Sequence, residues 1–151
     1  MARARILAAL IGLGLMAGLA ACSKPVPPTG KWEGGADRGG TLVAARVEVL
    51  PSGLVRVMAP DITNVTGTMR QTNMLRDQLA ARLATGWDDV KPRPFDYDGD
   101  TFRKPRGVAP QMVWDKQTRQ MTLMLYIGTQ PAFPVTLRPV DGFHDNPWAN
   151  G

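Results

Sequence analysis

The chain reads as an α+β protein, an antiparallel β-sheet of about five to seven strands with one amphipathic helix packed on one face. Three observations predict this. Period-two alternation of apolar and polar residues recurs in short segments before and after the middle of the chain, the mark of half-buried strands. A single stretch of helical periodicity, residues 69–85, stands between them. Turn chemistry at Pro51-Ser52-Gly53 and Asp98-Gly99 joins neighbouring strand segments closely enough for hairpins. Strands grouped around one helix favour α+β over the regular alternation that builds parallel sheets.

In chain order, Val43, Ala45, Val47 and Val49 alternate with Ala44, Arg46 and Glu48, and residues 54–58 resume a strand composition after the turn. Pro60 and Asp61 end this second strand. One face of the pair is apolar and must be covered. The cover is the helix: Thr68 with Gln71 forms a capping-box pattern, and Gly86 offers a left-handed closing residue. At 100° per residue, Met69, Thr72, Leu75, Leu79, Ala80 and Leu83 share one arc, with Asn73, Arg70, Asp77 and Gln78 opposite. That polar arc mixes acids, amides and bases, which suits docking on a sheet better than lying in a membrane surface.

Strand signals then return. Residues 95–97 and 101–103 flank Asp98-Gly99-Asp100, followed by strands over 111–114, 120–127 and 134–139. Met121, Leu123, Leu125 and Ile127 share a face, which nominates their strand for the centre of the sheet. The expected organisation is a leader over 1–21, a Pro-rich tether over 22–30, one domain over 31–140 and a loose tail over 141–151, unless Phe143 or Trp148 folds back.

The leader has a positive start with Arg3 and Arg5, an apolar run from Ile6 to Gly18, and then Leu19-Ala20-Ala21-Cys22. These last four residues resemble the lipobox of bacterial lipoproteins. The resemblance implies cleavage before Cys22, a diacylglycerol thioether on its sulfur, and usually acylation of the new amino terminus. Cys22 is the lipidation site so implied, and the membrane is the first partner. Ser23 stands where some Gram-negative lipoproteins carry an Asp that retains them at the inner membrane, which implies the outer membrane, with the domain on its periplasmic side. Several acyl chains explain stable attachment, since each buried methylene contributes about 0.8 kcal/mol and one chain alone is marginal.

Charge excludes one class of function. The chain has 18 Lys and Arg against 13 Asp and Glu; Arg3 and Arg5 lie in the leader, and the mild positive balance that remains is far from a nucleic-acid footprint. Arg103-Lys104-Pro105-Arg106, with Phe102 beside it, is the densest basic cluster. Phe102, Arg103 and Arg106, together with Trp32, are the candidate ligand or partner contacts, weighed against a solvated loop. Gly30-Lys31-Trp32 is similar to the Gly-x-Trp that opens the first strand of lipocalin barrels. The chain departs from that family where the helix signal interrupts the strands and where residue 95 is Phe, so Trp32 also reads as a core aromatic.

No catalytic set assembles. His144, the one histidine, lies in the polar tail beside Asp145, and the sequence contains no phosphate loop or nucleophile elbow. No cofactor is expected. Asp96, Asp98 and Asp100 alternate as cation ligands do, but an EF-hand loop would place its glycine at Thr101 and its final glutamate at Gly107; an aspartate-rich turn explains them equally. Two expectations follow. The first is a non-enzymatic interaction or structural module docking on an envelope protein or polymer. The second is a binder or carrier of a small apolar or amphipathic ligand, in a pocket between helix and sheet lined by Met58, Leu79, Leu83, Trp114 or Met124.

Overall fold

The structure, a computed structural model, describes residues 23–60, 63–64, 69–127 and 129–148. The leader, Cys22 and the capping residue Thr68 lie outside the described residues. The strands are β1 (Gly30–Arg38), β2 (Thr41–Val49), β3 (Val55–Met58), β4 (Thr63–Asn64), β5 (Asp96–Tyr97), β6 (Thr101–Arg103), β7 (Pro110–Asp115), β8 (Gln120–Ile127) and β9 (Gln130–Val140). One helix, α1 (Met69–Gly86), interrupts them after β4.

All pairings between these strands are antiparallel, in the order β3-β2-β1-β9-β8-β7-β6-β5, with β4 beside β2. Two meanders are thus joined by the pairing of β1 with β9, through Lys31 opposite Val140 and Glu33 opposite Arg138. The sheet curls into a half-barrel. Its concave face holds the core, including Trp32, Val43, Val47, Phe102, Met112, Met121, Leu123 and Leu137. β8 lies at the middle of the strand order, as its apolar face suggested.

The described strands number nine, more than the five to seven expected. The two that sequence reasoning missed are β1 and β4. In β1, Gly34 and Gly35 weaken the strand signal, yet both are there for close approach. A Cβ on Gly34 would stand 2.5 Å from the Thr136 carbonyl oxygen, and one on Gly35 would strike the Trp148 ring. The hairpin from β1 to β2 turns on Gly39 and Gly40, with φ of 60° and 85°.

Helix α1 lies against the convex side of β2. Leu42 and Ala44 on that face are buried, as are Leu79, Ala80 and Leu83 on the helix. Three expectations fail here. The helix does not cover the face of Val43, Ala45, Val47 and Val49, because the curled sheet itself encloses that face. Met69 is 82% exposed, because the helix buries only residues of its C-terminal half. Gly86 is not left-handed: its φ and ψ are −87° and −12°, and the chain runs on into a 3-10 turn at Trp87–Asp89. Its lack of a side chain serves packing instead, since a Cβ there would come within 2.5 Å of the Met58 methyl.

The tail is not loose over 143–148. The Phe143 ring meets Trp87 edge-on at 4.7 Å between centroids, and Pro147 is buried. The His144 backbone N–H donates to both Glu33 carboxylate oxygens, at 3.2 and 3.1 Å. The tether is also seated, with Pro25 and Pro27 at 3.9 Å from where a Cβ would project from Gly99 and Gly53.

Candidate functional site

The two ends of the curled sheet, β3 and β5, do not pair as strands. β3 is bridged at one point to the segment that precedes β5, where the Val55 N–H donates to the Arg93 carbonyl and the Arg93 N–H to the Val55 carbonyl, each at 2.9 Å. Beyond that bridge β5 and β6 are too short to continue the wall. A groove results between β3 and the inward faces of β7 and β8. One cavity of about 660 Å³ includes Val55, Val57, Phe95, Met112 and Leu123 in its lining. A second, of about 650 Å³, includes Val57, Ala59, Val108, Leu123 and Leu125. Val57, Lys104, Gln111 and Leu123 line both, so the two adjoin along a shared wall of the groove.

Each wall is fixed by identifiable contacts. Arg56, on the convex side of β3, stacks over Trp87 at 4.5 Å. Its Nε donates to the Val90 carbonyl at 2.9 Å, a terminal nitrogen donates to the Trp87 carbonyl at 2.5 Å, and the other pairs with Glu48 at 3.1 Å. That one side chain pins the segment from which Lys91 and Arg93 project. The opposite lip is the loop after β6, where Gly107 N–H donates to the Lys104 carbonyl at 2.7 Å and Arg106 takes a φ of 63°.

The expected helix–sheet pocket is not where the cavities lie. Leu79 and Leu83 are fully buried against β2, Met58 covers Gly86, and Trp114 packs on Trp32 at 5.5 Å. Only Met124 of that set lines the groove. Of the candidate contacts, Trp32 and Phe102 are 3% and 1% exposed and belong to the core rather than to a docking surface. Trp32 donates its indole N–H to the Arg119 carbonyl at 3.1 Å, which closes the end of the barrel. Arg103 pairs with Asp98, and Arg106 is exposed, its backbone N–H donating to Asp96 at 3.3 Å. His144 stays about half exposed, with a side-chain exposure of 51%, while its Nδ1 meets Glu33.

The three aspartates are engaged by the turn itself. Asp98 accepts the Thr101 N–H at 2.9 Å, and Asp100 accepts the Thr101 hydroxyl at 2.9 Å. Among the described residues no three of His, Cys, Asp or Glu converge as a metal-binding set. The Arg103 guanidinium, then the Thr101 and Asp100 N–H groups, hold the Asp98 carboxyl well below the usual carboxylate range. A depressed carboxyl stabilises the fold above its unfolded pKa, and that contribution is lost as pH falls through the folded value. An NMR titration should therefore find Asp98 still ionised near pH 3.9, where an ordinary aspartate is half protonated, and Arg103→Gln should move it upward. An ordinary titration in the unmodified chain would refute the pairing.

Sequence reasoning missed Lys91 and Arg93, which the fold carries to the groove by long-range closure. The readable signal was Lys91-Pro92-Arg93-Pro94, two cations spaced by prolines that keep the segment extended. The fold and groove together define an open antiparallel β-barrel with an outer helix and an accessible interior. No family model, no curated protein and no solved structure matches this chain.

Proposed function

We propose that the chain is a non-enzymatic envelope lipoprotein, anchored through Cys22 to the periplasmic face of an outer membrane, whose half-barrel groove binds a small apolar or amphipathic molecule. The observation that carries the binding reading is the pair of adjoining cavities onto inward-facing Val57, Met112 and Leu123. A barrel interior reached from the side in this way has the apolar lining and volume of small-molecule sites. The anchor rests on the lipobox resemblance. Among the described residues no helix is long and apolar enough to cross a membrane.

A second reading, an interaction module for an envelope protein or polymer, draws on the edge of β3 that, among the described residues, no strand pairs with. Val57 is two residues beyond Val55, so its N–H and C=O point to the same side as the Arg93 bridge. An extended protein segment can pair there by strand addition. Native mass spectrometry of the exported Cys22→Ser protein separates the two. An added small-molecule mass that disappears on unfolding supports the binder; a clean apo mass together with a crosslinked envelope protein supports the module.

A further inference from the structure

The charged side chains of the groove gather toward one end. At the end nearer the Val55–Arg93 bridge, Asp89, Lys91, Arg93 and Lys104 stand on the rim. Lys104 also lines the second cavity, where it is the only charged residue, among Val108, Leu125 and the uncharged polar Gln111 and Tyr126. Lys91, Arg93 and Lys104 are exposed and form no ion pair among the described residues. Three cations against one carboxylate leave that end positive. They arise from two separate loops, 89–95 and 104–109, which face each other across the groove.

From this polarity we infer that the ligand is a single-chain amphiphile with an anionic head, a long-chain carboxylate, held with its head at Lys91, Arg93 and Lys104 and its chain along Leu123 toward Val108. The inference rests on the groove being the binding site and adds the chemical class and direction of its occupant. Charge complementarity selects the anion, because a neutral or cationic head would leave the rim charges unanswered. The half-open walls suit a chain that lies lengthwise with one side toward water. Val108, 91% exposed in the lining of the second cavity, is an uncovered side chain that such a chain would shield.

The test is equilibrium binding of palmitate and of hexadecanol, the same chain with a neutral head, to the full-length Cys22→Ser protein. Palmitate is expected to bind about tenfold more tightly, since several exposed ion pairs act together. The gap should close to within about twofold in 0.5 M salt, where screening is strong, and in the variant Lys91→Gln/Arg93→Gln/Lys104→Gln. Val108→Asp, at a position too exposed to disturb folding, should weaken hexadecanol several-fold. Equal affinity for the two chains would overturn the anionic head and leave the groove reading intact. Binding of neither would overturn the groove reading itself, and binding indifferent to Val108→Asp would place the ligand elsewhere and overturn the inference.

Discussion

Replacing Glu33 with Ala should lower stability by about 3–5 kcal/mol, read as a fall in the urea midpoint at unchanged slope. Glu33 and Arg46 are each 4% exposed, on the convex face of adjacent strands. The Arg46 Nε lies 3.6 Å from a Glu33 oxygen, and a terminal nitrogen donates to the His144 carbonyl at 2.6 Å. Burial pushes the Arg46 guanidinium below its ordinary pKa, while the charges of Glu33 and Asp145 push back. Without Glu33 that charge is buried without its nearest counter-charge, and His144 loses the acceptor for its backbone N–H. Phe143, stacked on Arg46 at 4.9 Å and against Trp87, then loses its seat. The double variant Glu33→Leu/Arg46→Met should recover most of the loss, because apolar pairs commonly replace buried ion pairs at little cost. A double variant as unstable as Glu33→Ala would show that the cost lies elsewhere.

Trp32→Ala should be comparably damaging, at about 3–5 kcal/mol, the usual effect of emptying a buried aromatic site. Trp32 fills the end of the barrel where β1 begins, edge-on to Trp114 at an interplanar angle of 76°. Its indole also satisfies the Arg119 carbonyl, in the turn between β7 and β8. Trp32→Phe separates the two roles: it keeps most of the packing and removes the donor, and about 0.5–1.5 kcal/mol is the expected cost of losing this part-buried hydrogen bond. Thermal unfolding of both variants provides the comparison. If Trp32→Ala were nearly neutral, the floor of the barrel would not be packed as described.

Much of the fold was legible because its signals are local. Alternation in β2 and β8, the Asp98-Gly99 turn and the arc of Leu79, Ala80 and Leu83 each announce themselves within a few residues. β1 was not legible, because Gly34 and Gly35 look like a loop until β9 and Trp148 are brought against them. Tail docking was hidden for the same reason: nothing near His144 in the chain reveals that its partner is Glu33. The groove depends wholly on curvature. Period-two patterning separates the two faces of a strand, but it does not tell which face a curled sheet encloses or where its ends fail to meet. The candidate contacts followed local charge and aromaticity, so Trp32 and Phe102 turned out to be core, while Lys91 and Arg93 stand at the groove.

The pairing of β1 with β9 bears on how the protein is made. The first strand of the sheet obtains its second neighbour from the last, through residues 138–140, so the two meanders cannot join into one sheet before those residues are present. Such sequence-distant pairing slows folding. A polypeptide emerging amino terminus first leaves its two meanders unjoined until the last of these strands arrives.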